Sequence, residues 1–214
     1  MPVIAVDGPA ASGKGTIARA IARELGLPHM DTGLLYRAVA LKLWRWGGDP
    51  SSEFEALRAC HELGLDPEDP ELRSEPVSKI ASSISAYPSV RTALLERQQE
   101  FAGQPSGAVL DGRDIGSVIA PDADVKLFVT ASAEVRAQRR LRELLQRGMK
   151  AHYEDVLADI QARDARDSAR EVAPLKQAPD AILLDTSELD VDETIAEALR
   201  LVREKLGATA QSQP

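Results

Sequence analysis

Gly8-Pro9-Ala10-Ala11-Ser12-Gly13-Lys14-Gly15-Thr16 occupies the corner between an apolar run, Val3–Val6, and a helical pattern from Lys14 to Leu25. The order is G-x-x-x-x-G-K, then Gly, then Thr. Glycines let a backbone wrap closely around a phosphate with its N–H groups pointing inward. A helix that starts where the loop ends adds a favourable dipole. Lys14 supplies a point charge for terminal phosphates, and a hydroxyl supplies a ligand for Mg²⁺. The competing reading is an ordinary glycine-rich turn. The strand before the loop and the helix after it favour phosphate binding, because that is the context the motif needs. Where a hydroxyl residue commonly follows the lysine directly, this chain has Gly15, and Thr16 comes next.

Further short apolar runs recur between helical patterns. Ile17, Ala20, Ile21 and Leu25 share one helical spacing, and a second helix is expected from Leu34 to Trp46, with Trp46 mostly in the core. Gly47-Gly48-Asp49-Pro50 breaks it. Helices are expected over 53–63, 76–86 and 89–101, with a proline-rich loop over 65–76. Strands are expected in GAVLDG, ending at Asp111, in Val125–Thr130 and in Ala181–Asp185, and a short one just before Asp31. Helices over 133–146, 153–170 and 192–206 complete the pattern. Buried strands alternating with helices predict an α/β fold, a parallel sheet flanked by helices.

The chain has 26 Lys and Arg against 34 Asp and Glu, a formal net charge of -8. That argues against binding polymeric nucleic acid or an acidic membrane, so an anionic ligand needs a local basic cluster. Cys60 is the single cysteine, which excludes an intramolecular disulfide, and Cys60 with His61 makes a poor metal site. No charged-then-apolar leader precedes the first strand and no apolar run approaches the length of a membrane span, which predicts a cytoplasmic protein.

Three stretches carry candidate acceptor-binding groups. HMDTGLLYR places Thr32 and Arg37 at the lip of the expected sheet, where such sheets bind ligands. DGRDIG places Asp111, Arg113 and Asp114 at and beyond a strand end. RDARDSAR spaces Arg163, Arg166, Asp167 and Arg170 on one helix face. Arginine forks grip phosphate bidentately, although alternating Arg and Asp also suits a solvated surface. No N-K-x-D guanine signature is present; small-molecule kinases of the shikimate type remain alternatives at this point.

G-P-x-x-S-G-K-G-T, D-T-G-x-x-Y-R, D-G-R-D-I-G and R-D-x-R-D-x-x-R, in this order, resemble the bacterial cytidylate kinase family, from about residue 3 to 205. The resemblance implies a P-loop kinase with a helical acceptor lobe and a short lid, transferring the γ-phosphoryl of ATP to CMP and dCMP in pyrimidine nucleotide metabolism. It implies that residues 8–16, from Gly8 through Lys14, bind ATP, that Thr16 holds Mg²⁺, and that Asp111 holds it through water. Thr32 and Arg37 match residues lining the acceptor site. Arg37, Arg113 and Arg170 match arginines around the acceptor phosphate. Ser82, Arg91 and Asp114 match positions that read cytosine, and Arg163 and Asp167 those near the ribose. Arg136 and Arg140 match lid arginines that stack on the donor base and touch its phosphates; a charged helix surface is the competing reading. Lys14, Arg113, Arg140 and Arg170 are the implied catalytic set. One domain is expected over 1–207, with an acceptor-binding insert at 32–90, a lid at 136–165 and a frayed tail at 208–214. Some members insert a small antiparallel sheet where this chain has only the loop 65–76, so the acceptor lobe is reduced. A monomer is expected. A related kinase of different base preference and a nucleotide-binding switch are the alternatives.

Overall fold

The computed structural model describes residues 1–61, 63–64 and 66–211. They form two compact units, Met1–Met30 with Ala102–Pro214, and Asp31–Phe101.

The first unit is built on a sheet of five strands: β1 (Val3–Asp7), β2 (His29–Asp31), β3 (Ala108–Gly112), β4 (Val125–Thr130) and β5 (Ile182–Asp185), in the order β2-β3-β1-β4-β5. β1 pairs in parallel with β3 on one side and β4 on the other, and Ile4 stands between Val109 and Val125. β3 is buried throughout, as is β1 from Ile4 onward. Strands covered on both faces have no polar side to present, which is why VIAVD and AVLDG read as continuous apolar runs. Beside β1 the chain has passed to one side for β3 and to the other for β4. This opens a crevice at the carboxyl ends of these strands.

Helix α1 (Lys14–Leu25) buries Ile17 and Ile21 against Ile4, Val6, Val109 and Val129. It stops at Gly26, whose φ of 65° is left-handed. Ala198 and Val202 of the last helix join the same core. That helix runs Val191–Gln211, so it continues past Gly207, and the expected tail from residue 208 begins inside it; residues 212–214 lie outside the described set. Helices Ala133–Gln146 and Tyr153–Ser168, here α6 and α7 in chain order, pack together through Ala137, Leu144, Val156 and Ile160. Ser132 caps the first of them by accepting from the Val135 amide at 3.2 Å. α7 ends at Ser168, short of the expected Arg170.

The second unit is helical. α2 (Thr32–Arg45), α3 (Glu53–His61), α4 (Glu75–Ile84) and α5 (Pro88–Ala102) follow one another, α5 ending one residue into the first unit. The expected loop 65–76 contains a single 3₁₀ turn, Pro70–Arg73, capped by the Asp69 carboxylate on the Glu71 amide; Leu65 lies outside the described residues. Trp46 departs from its expected place in the core. It caps α2, is 43% exposed, and carries Lys42 and Arg58 over its ring at 5.0 and 5.1 Å. The cation–ring contacts occupy faces that the core does not.

Candidate active site: a phosphate loop and an arginine cluster

Loop 8–16 sits in the crevice at the end of β1. A Cβ on Gly8 would lie 2.0 Å from the Val129 carbonyl oxygen, so no other residue fits. Gly13 has open space around it but a φ of 90°, so there the backbone conformation requires glycine. Ala11 adopts a left-handed φ of 59°, uncommon for a residue with a Cβ. Lys14 folds over the loop, Nζ donating to the Pro9 carbonyl at 3.3 Å. Ser12 is fully buried and its Oγ makes no hydrogen bond among the described residues. A turn with a lysine folded across it, a helix starting at its end and an orphaned hydroxyl within it fits phosphate well.

Gly15 faces the end of β3. A Cβ there would meet the two Asp111 carboxylate oxygens at 3.8 and 4.0 Å, which is ordinary contact. Gly15 is therefore not demanded by crowding; it leaves the ground between loop and carboxylate open. Asp111 is 3% exposed and takes His29 Nε2 on Oδ2 at 2.7 Å. Thr16 is exposed one residue on, its hydroxyl accepting from Arg19 at 3.4 Å.

Beyond β3, Asp7 holds the next turn. Its carboxylate accepts the Ile115 and Gly116 amides, both at 2.8 Å. Burial pushes the Asp7 carboxyl up to about 6, although the two amides pull the other way. The backbone after Asp114 is thereby pinned, and with it the place of Arg113 and Asp114. Arg113 Nε donates to Asp167 Oδ2 at 2.9 Å, and Arg170 donates to Oδ1 of the same carboxylate at 2.5 Å. Asp167 is 1% exposed. Burial opposes its charge, but Arg113 and Arg170, with Arg163 behind them, outweigh that and hold its pKa below the ordinary carboxylate value.

Four of the expected residues thus converge: Arg113, Arg163, Asp167 and Arg170. Arg170 reaches the cluster from beyond the end of α7, and Arg166, which the helical spacing put on the same face, is exposed. Asp114 is buried one residue after Arg113. Arg140 pairs with Glu143 at 2.7 Å. Arg136 is buried, its guanidinium bonded to Ala131, Ala10 and Asp164. Thr32, Arg37, Ser82 and Arg91 lie in the second unit. There Arg37 donates to Ser78 Oγ at 2.6 Å and the Leu72 carbonyl at 3.3 Å. Arg91 is buried, donates to the Ser85 carbonyl at 3.3 Å and lies 5.9 Å above the Tyr36 ring. Ser82 and Thr32 are buried on α4 and at the start of α2. Asp7, His29 and Asp164 were not singled out from sequence; their partners lie 108, 82 and 28 residues away.

Compared with known proteins, residues 4–204 match the cytidylate kinase family. The chain belongs to the cytidylate kinase family. It is accordingly an enzyme of the nucleoside monophosphate kinase class. A cytidylate kinase of Xanthobacter autotrophicus is 58% identical over 202 residues, covering 94% of this chain and 96% of that one. Another, of Azorhizobium caulinodans, is 56% identical over 96% of this chain and all of its own length. A gluconokinase from Sinorhizobium meliloti shares the fold, with a TM-score of 0.56 at 18% identity over 99% of this chain and 98% of that one. Within the cytidylate kinase family, the loop and the DGRDIG and RDARDSAR stretches of this member occupy one unit.

Proposed function

We infer that this chain transfers the γ-phosphoryl group of ATP to CMP and dCMP, releasing ADP with CDP or dCDP. The observation that carries the reading is the gathering of Arg113 and Arg170 on the buried Asp167, in the unit that also bears the phosphate loop. A nucleotide switch has no use for a second anion-binding cluster.

In this reading the loop amides and Lys14 bind the ATP phosphates. Thr16 and Asp111 would hold Mg²⁺, Asp111 through water; both offer the hard oxygen donors that this ion takes. The bound ion offsets phosphate charge. Arg37, Arg113 and Arg170 hold the acceptor phosphate, and Thr32 lines its site. Arg163 and Asp167 meet the ribose. Ser82, Arg91 and Asp114 read cytosine, offering both acceptors and donors to its amino group, ring nitrogen and carbonyl. Arg140 serves the donor phosphates from a lid at 136–165, whose closure excludes the water that would otherwise take the phosphoryl group. Transfer then depends on aligning two anions and offsetting their charge. The acceptor oxygen is already ionised, so no protein base is required. We place the enzyme in the cytoplasm, as a monomer whose partners are nucleotides. Among the described residues no helix is long and apolar enough to cross a membrane.

The test is ADP release with Mg·ATP and each nucleoside monophosphate in turn. CMP and dCMP should stimulate it strongly, and UMP less. ADP release indifferent to the acceptor would overturn the reading.

A further inference from the structure

The resemblance assigns Arg136 to the donor base and its phosphates, yet its guanidinium is bonded to protein groups. The side chain leaves the first turn of α6 and is only 6% exposed. Nε donates to the Ala131 carbonyl at 2.9 Å, anchoring the stem. One NH group donates to Ala10 of the phosphate loop at 3.2 Å and to Asp164 at 3.0 Å; the other donates to Asp164 at 2.6 Å. The Asp164 contact is a two-pronged fork, the strong and geometrically defined form of an arginine–carboxylate pair. A guanidinium held in this way has its plane fixed.

The point of attachment on the loop has a consequence. In a planar trans peptide the C=O and the following N–H point in opposite directions. Holding the Ala10 carbonyl toward Arg136 therefore aims the Ala11 N–H away from it. Ala11 is also the loop residue with a Cβ that sits in the left-handed region, at φ 59°. Such a conformation persists only where its surroundings hold it.

We propose that Arg136 is a positioning residue of the phosphate loop, clamping the Ala10 carbonyl to Asp164 of α7 and so keeping the Ala10–Ala11 peptide turned for phosphate. Asp164 is its necessary partner. The clamp joins both ends of segment 136–165 to the loop, so the base of that segment stays tied to the donor phosphates. The inference rests on the reading that those phosphates bind the loop.

Two ligands separate this role from base stacking. ATP carries base and phosphates; inorganic tripolyphosphate carries phosphates alone. Affinities of both are measured by titration calorimetry in the full chain, with Arg136→Lys and Asp164→Asn, and with Asp164→Glu as the conservative variant. Losing a charge-assisted fork should weaken ATP and tripolyphosphate by the same factor, roughly tenfold or more, in both of the first two variants. KM for CMP should stay near its wild-type value, and Asp164→Glu should recover part of the loss. The double variant Arg136→Lys with Asp164→Asn should lose little beyond either single one, because both break the same contact. Melting curves identify a variant that fails to fold, and the remaining variants decide. The proposal is overturned if Arg136→Lys weakens ATP and spares tripolyphosphate, or if Asp164→Asn leaves both affinities unchanged. Failure of the functional reading looks different: wild-type protein would then bind neither ligand or ignore CMP.

Discussion

Two glycines of the phosphate loop, Gly8 and Gly15, are alike in the motif and unlike in their surroundings. Gly8 has the Val129 carbonyl where a Cβ would go, at 2.0 Å, while the nearest atom to a Cβ on Gly15 is an Arg19 nitrogen at 3.5 Å. Gly8→Ala must push backbone aside. It should lower stability by about 1–3 kcal/mol or more and remove most activity, because the loop moves with it. Gly15→Ala should hold or slightly raise the melting temperature, since Gly15 lies in the first turn of α1 without a positive φ and alanine there lowers the conformational freedom of the unfolded chain. Paired thermal melts check both. Asp7 invites a pH test. Its carboxyl has an ordinary value near 4 in the unfolded chain and about 6 in the fold. Between these values the folded protein binds more protons, so the group's contribution to stability falls as pH rises through the window and is level above it. Asp7→Asn removes that ionisation. Relative to wild type it should gain roughly 2–3 kcal/mol between pH 4 and 7, read from urea midpoints at each pH. The loop itself was legible in the sequence, because its residues are consecutive and their chemistry local. Asp7 and His29 were not. Each acts on a segment distant in the chain, and only the placing of β2 beside β3 brings His29 to Asp111.

At the scale of elements, α7 shows where periodicity misleads. Spacing alone put Arg163, Arg166, Asp167 and Arg170 on one face, but the helix stops at Ser168 and Arg170 turns back on Asp167 with a different geometry. The chemistry of the stretch was legible; its shape was not, because a helix end is set by packing more than by propensity. The arrangement sharpens what Asp167→Ala should do. Removing the carboxylate leaves Arg113 and Arg170, 16% and 6% exposed, without their shared counter-charge. Breaking a buried pair from one side costs about 3–5 kcal/mol, so the melting temperature should fall by several degrees. KM should rise for CMP and dCMP alike through the loosened arginines. If Asp167 also meets the 2′-hydroxyl, CMP should lose more. Steady-state constants for both substrates separate the shared loss from the excess. The wild-type contribution of Asp167 is present at neutral pH and is lost as pH falls through its depressed pKa.

At the scale of the whole molecule, the sheet class was readable because β1, β3 and β4 are buried on both faces and carry almost uninterrupted apolar residues. β2 was weaker as a signal, since His-Met-Asp is short and only half-buried. The central position of β1 also bears on how the protein is made. Val3–Asp7 leaves the ribosome before the other four strands, yet its neighbours are Ala108–Gly112 and Val125–Thr130. At synthesis rates of about 5–20 residues per second, that apolar strand waits roughly 6–25 s for its second partner. Helices of the 31–101 unit, with mostly local contacts, can form during this interval. Asp7 cannot grasp Ile115 until 108 further residues have emerged, nor His29 reach Asp111 until 82 have followed it. A strand that precedes its partners by about a hundred residues and sits at the middle of its sheet thus makes the crevice a late product of translation.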